Sequence, residues 1–116
     1  LTPADVNVAE IHDCFTVMGA IGTEVIGKAE PGQGARYWVE GKAAPGGECG
    51  INTSGGLIAK GHPVGATGIS MVGWSAWQLL GKAPAELQVR NARAAATFNI
   101  GGPICASVCT VLKPAA

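Results

Sequence analysis

Residues 52–68 read Asn-Thr-Ser-Gly-Gly-Leu-Ile-Ala-Lys-Gly-His-Pro-Val-Gly-Ala-Thr-Gly. Glycines stand at 55, 56, 61, 65 and 68, and the stretch carries His62, one of two histidines in the chain. Glycine lets backbone N–H groups come close to a ligand and permits turns with positive φ. An apolar helical pattern opens at Ala66, so the loop delivers backbone donors and the positive end of a helix to one region. A histidine there suits acid–base or oxyanion chemistry. A glycine-rich loop with a structural histidine has the same composition. The stretch alone leaves both readings open.

Outward from this loop the chain alternates strand and helix signals. Upstream, Val6-Asn7-Val8-Ala9-Glu10-Ile11 is rich in β-branched residues and predicts a short strand ending at His12, Asp13 and Cys14. From Phe15 the spacing of Phe15, Met18, Ile21, Val25 and Ile26 predicts a helix, with Asp13 as its cap. Residues 29–50 hold two Pro-Gly pairs and read as a long excursion with a short element near Arg36 to Val39. Tyr37 and Trp38 are expected to pack there, and Glu40 and Lys42 to be solvated. Downstream, Ala66 to Leu80 predicts a helix. Ile69, Met71, Val72, Trp74, Trp77, Leu79 and Leu80 make it apolar on most sides, which predicts burial. Gly81 and Pro84 end it. The C-terminal residues predict two strands around a Gly101-Gly102-Pro103 turn. The second, Ile104 to Leu112, alternates poorly and is expected to be buried on both faces. The expected fold is therefore α/β. A mixed β-sheet with packed helices closes in an antiparallel hairpin, and ligands are expected at the carboxyl ends of the strands.

The totals fit one domain of 116 residues with a modest core. Charged residues make up 14%, against about 25% in typical domains, and 47% are hydrophobic. So little charge implies that much of the surface meets another domain or subunit. Eight basic and eight acidic residues cancel, which speaks against nucleic acid as a partner. Cys14, Cys49, Cys105 and Cys109 lack metal-ligand spacing with the histidines and read as small buried hydrophobes. Cys105 and Cys109 are expected on one face of the last strand. No secretory pattern is read, so a reducing cytoplasmic compartment is expected. No apolar run reaches the roughly 18 residues of a membrane span.

Three motifs then stand in order: His12-Asp13-Cys14-Phe15 at a strand-to-helix junction, the 52–68 loop, and Asn99-Ile100-Gly101-Gly102 before the last strand. Together they resemble the C-terminal part of a thiolase over nearly the whole chain. The likeness is strongest to the sterol-carrier-protein or lipid-transfer-protein type, because most thiolases carry Asn-Glu-Ala-Phe where this chain has HDCF. The resemblance implies a five-layered α/β/α/β/α enzyme built from two βαβαβαββ halves, of which this chain supplies most of the C-terminal one. It implies thiolytic cleavage of a 3-oxoacyl-CoA, or the reverse Claisen condensation, through an acyl-cysteine. Coenzyme A is a substrate and no further cofactor is implied.

Residue roles follow from the same resemblance. His62 lies beside the nucleophile and thioester carbonyl. His12 contributes to the oxyanion site or orients water. Cys14 acts as the proton-transferring acid/base, a role consistent with Asn99 standing near the usual C-terminal catalytic cysteine. Asn99, Gly101 and Gly102 provide backbone to an oxyanion hole. Phe15 lines the pantetheine channel, and Ser54, Gly55 and Gly56 contact substrate or CoA. Phe98 departs from the histidine common in these relatives, and Cys105 and Cys109 fall past the usual catalytic position. No residue matches the nucleophile. The chain is thus expected to be a fragment lacking its N-terminal half and the first strand of its own half, with acyl-CoA, CoA and that half as partners in a homo-oligomeric enzyme. Two other readings stand beside thiolysis. One is a retro-aldolase of the lipid-transfer-protein type acting on a side-chain acyl-CoA. The other is a non-catalytic acyl-CoA or lipid-binding module.

Overall fold

The computed structural model describes residues 1–115. Its elements are β1 (Val8–Ile11), α1 (Thr16–Val25), α2 (Gly34–Val39), β2 (Gly50–Ile51), α3 (Gly56–Lys60), α4 (Thr67–Leu79), β3 (Ala95–Gly101) and β4 (Ala106–Leu112). The four strands form one mixed sheet in the order β2-β1-β3-β4. β1 runs parallel to both β2 and β3, while β4 returns antiparallel to β3 in the hairpin expected from Gly101-Gly102-Pro103. The α/β class read from the sequence is the fold.

Alternation along β1 sorts its side chains onto the two faces of the sheet. Ala9 and Ile11 join Met18, Tyr37, Cys49, Ile51, Phe98 and Ile100 in the larger core cluster. Val8 packs with Val89, Ala95 and Leu79 on the other side. α1 lies close against β1, since a Cβ on Gly22 would come within 3.1 Å of Ile11. α2, left undecided between helix and strand in the sequence, is a helix. Its first amide donates to Glu24 Oε1 at 2.8 Å, Tyr37 is buried, and Trp38 Nε1 donates to Thr23 Oγ1 at 2.9 Å. Glu40 and Lys42 pair on the surface at 2.9 Å, as their solvated reading predicts.

Five expectations are corrected. The first strand begins at Val8, two residues later than expected. Asp13 does not cap α1, whose N-cap is Phe15 with no side-chain bond. Its carboxylate accepts instead from Leu57 N in α3 at 2.6 Å, so it caps a helix 44 residues away. α4 is not buried all round: its inward face is Thr67, Met71, Ser75 and Gln78, while Ile69, Trp77 and Leu80 face outward. β4 is exposed along most of its length rather than buried on both faces, because it is an edge strand of the sheet. Ile104 sits before it in the turn at φ 64. Cys105 therefore does not share a strand face with Cys109, and both are exposed. Only Cys49 is fully buried, and Cys14 is half-buried. Among the described residues no helix is long and apolar enough to cross a membrane.

Candidate active site

The carboxyl ends of β1 and β3 converge on one open cleft of about 1080 Å³. β1 delivers His12, whose backbone N–H donates to Phe98 O at 2.9 Å and so is tied to β3. β3 delivers Asn99, whose side-chain oxygen lies 2.7 Å from His12 Nδ1. The loop between α3 and α4 delivers His62, whose Nδ1 lies 2.7 Å from Thr67 Oγ1 on the first turn of α4. The two imidazoles meet edge to face, with centroids 4.9 Å apart and planes at 84°. Cys14, Phe15, Gly101 and Gly102 line the same cleft, as do Val64, Ile69, Val72 and Val108. Polar groups thus gather beside an apolar wall, the usual build of a small-molecule site.

The loop is held by bonds that explain why it folds this way. Asn52 takes φ 51 where the chain leaves β2. Its carboxamide accepts from Ile11 N at 2.7 Å and donates to Ile11 O at 3.0 Å, extending the ladder beside β1. Gly56 sits at φ 62 against the Asp13 carboxylate, where a Cβ would come within 2.2 Å of Oδ2. No other residue fits that contact. Thr53 Oγ1 accepts from Trp74 Nε1 at 2.8 Å and Gln78 Nε2 at 2.9 Å, fixing the loop to α4.

Ser54, Gly55 and Gly56 stand apart from the cleft. Ser54 Oγ donates to Glu10 Oε2 at 2.5 Å and accepts from Lys60 Nζ at 2.8 Å, with Lys60 3.5 Å from the same carboxylate oxygen. Gly55 is the N-cap of α3. The buried Glu10 carboxyl is held above its usual pKa by desolvation, against which Ser54 and Lys60 pull it down. Sequence reasoning missed this cluster, as it missed Asn52 and Gln78. Glu10 offered one signal: it is a charged residue inside the β-branched run of β1. Phe98 packs in the core with Ile11 and Ile100 and does not line the cleft.

Fold and cleft define an α/β domain that carries an imidazole pair and a thiol at the carboxyl ends of parallel strands. A family model described as thiolase C-terminal domain-like matches residues 1–114, and the chain belongs to that family. It is 44% identical over 102 residues to an acetyl-CoA acetyltransferase of Methanothermobacter thermautotrophicus, covering 88% of this chain and 26% of the relative. It is 45% identical over 101 residues to sterol carrier protein 2 of Homo sapiens, covering 87% and 18%. Among solved structures, an Ltp2-ChsH2(DUF35) aldolase superposes with a TM-score of 0.71 over 84% of this chain and 24% of that one, at 22% identity, a likeness of fold. The chain spans about a quarter or less of the length of these relatives.

Proposed function

We propose that this chain supplies the acid–base and oxyanion side of a thiolase-type active site, whose cysteine nucleophile comes from a second, N-terminal half. The observation that carries the reading is the paired, side-chain-held imidazoles of His12 and His62 in one cleft with the Cys14 thiol. Each group has a step. His62 takes the proton of the nucleophilic thiol, and the thiolate attacks C3 of a 3-oxoacyl-CoA. The C2–C3 bond breaks. The acyl group stays on the nucleophile, and the electron pair passes to an acetyl-CoA enolate. His12 and His62 stabilise the negative oxygen, and the Cys14 thiol returns a proton to C2. The Cys14 thiolate then takes the proton of a second CoA thiol, whose sulfur attacks the acyl-cysteine and carries the acyl group away, and the released nucleophile recovers its proton from His62. Phe15 lines the approach for the pantetheine arm. The remaining thiolase half and a homo-oligomeric assembly complete the enzyme.

The test is CoA-dependent cleavage of a 3-oxoacyl-CoA by the complete enzyme and its His62→Ala and Cys14→Ala variants. The expected result is turnover in the wild type, with kcat lowered by about 100-fold or more in each variant while CoA binding persists. Cleavage that needs no CoA and releases a carbonyl compound would assign the retro-aldolase reaction instead. Tight acyl-CoA binding without turnover would assign a binding module.

A further inference from the structure

We propose that Asn99 and Thr67 are positioning residues that hold both imidazoles of the cleft with the proton on Nδ1, and that Gly68 is the spacer that lets Asn99 do so. The catalytic consequence rests on the function proposed above. The tautomers themselves do not.

The assignment follows from which atoms can donate. A carboxamide oxygen has only lone pairs, so the 2.7 Å bond between His12 Nδ1 and Asn99 Oδ1 requires the proton on Nδ1. The Ile100 N–H points at the same nitrogen from 3.4 Å, the one contact that favours the other tautomer, and it is longer and weaker than the 2.7 Å bond to Asn99. Thr67 Oγ1 also lies 3.3 Å from the Pro63 carbonyl, and a hydroxyl that gives its single proton to that carbonyl accepts from His62, which again places the proton on Nδ1. Each neutral ring keeps its lone pair on Nε2, the nitrogen with no protein partner among the described residues. Such a nitrogen takes a proton from a thiol and afterwards presents that proton to an oxyanion from the same point.

Thr67 and Gly68 are consecutive on the first turn of α4. One holds His62 directly, and the other touches the residue that holds His12. A Cβ at position 68 would come within 2.9 Å of Asn99 Nδ2. A side chain there must push the carboxamide aside. Gly68 has no positive φ, so its backbone accepts alanine, and the substitution isolates this one contact.

The experiment is long-range ¹H–¹⁵N correlation of ¹⁵N-histidine in the complete enzyme, with the two rings assigned from His12→Gln and His62→Gln spectra. Both neutral rings are expected as Nδ1–H. Asn99→Leu should release His12 to the Nε2–H form, and Asn99→Asp, which keeps an oxygen acceptor, should restore Nδ1–H. Thr67→Val and Thr67→Ser should do the same for His62. kcat/KM should fall at least about 10-fold wherever the tautomer is lost and recover wherever it is restored. Gly68→Ala should reproduce the His12 change of Asn99→Leu, leave His62 as it is, and leave Tm no lower. An Nε2–H signal from either wild-type ring, or a His12 signal that ignores both Asn99→Leu and Gly68→Ala, overturns the proposal. Nδ1–H rings in an enzyme that performs no CoA-dependent cleavage uphold the positioning and sink the function proposed above.

Discussion

At the scale of single residues, the buried charge of Glu10 has a consequence that can be measured. Its carboxyl is 1% exposed and answers only to Ser54 and Lys60. Because burial raises its pKa above the ordinary 4.5, the folded state binds this proton more tightly than the unfolded chain. Glu10 therefore favours folding most below 4.5, and that contribution is lost as pH rises through its raised pKa. Glu10→Gln keeps an oxygen for the Ser54 hydroxyl and removes the titration. The Tm difference between Glu10→Gln and wild type should rise with pH from 4.5 upward and level off once wild-type Glu10 is ionised. A flat difference across that range would contradict the burial argument. The resemblance carried by their motifs pointed to His62, His12 and Cys14, and all three line the cleft. Asn99 entered as backbone to an oxyanion site, whereas its side chain holds the His12 ring. That contact joins residues 87 apart, and no local pattern encodes it.

At the scale of elements, α4 shows where hydrophobicity misleads. Periodicity located the helix to within a residue or two of its observed ends. The inward choice went to Thr67, Met71, Ser75 and Gln78, spaced 4, 4 and 3 apart, over bulkier apolar neighbours. Small or hydrogen-bonding side chains let the helix lie close to the sheet. Gln78 is satisfied on both ends. Its Nε2 donates to Thr53 Oγ1 and to Leu87 O at 2.8 Å, and its Oε1 accepts from Val89 N at 2.8 Å and Gln88 Nε2 at 3.0 Å. Gln78→Leu matches the volume and leaves the buried Val89 amide without its acceptor. The expected loss of stability is about 2 kcal/mol in chemical denaturation, with an unchanged m-value. A neutral result would mean that the 83–89 segment is held by something other than this amide. The strand pattern of β4 was equally legible, but its burial was not. Low alternation is shared by a strand covered on both faces and an edge strand awaiting a neighbour.

At the scale of the whole molecule, exposed apolar groups lie on three elements. Val17, Ile21 and Val25 form a stripe on α1, Ile69, Trp77 and Leu80 form another on α4, and Val108 and Val111 stand out from β4. Patches of this kind mark surfaces that meet other protein. The low charge read from composition anticipated them, though composition does not say which elements carry them. The outer edge of β4 has no strand partner among the described residues, which leaves a row of backbone groups open to pairing. Hydrogen exchange gives the check. In the chain by itself the alternate β4 amides not bonded to β3 should exchange as fast as loop amides. In the complete enzyme they should be protected by at least about 100-fold, the mark of a ladder bond formed on that edge. Equal exchange in both would mean that no strand is added there.

The bond between His12 and Asn99 also orders events in time. As the chain leaves the ribosome, His12 emerges 87 residues before the Asn99 that holds its ring. β1 cannot sit between its neighbours until residues 50 and 95–98 have arrived. Such long sequence separations make pairing slow, since the intervening loop must close first. At about 5–20 residues per second, the wait between His12 and Asn99 is several seconds. The site is thus among the last features of this domain to become ordered. A nascent chain cannot make the bond that holds the His12 ring before residue 99 has emerged.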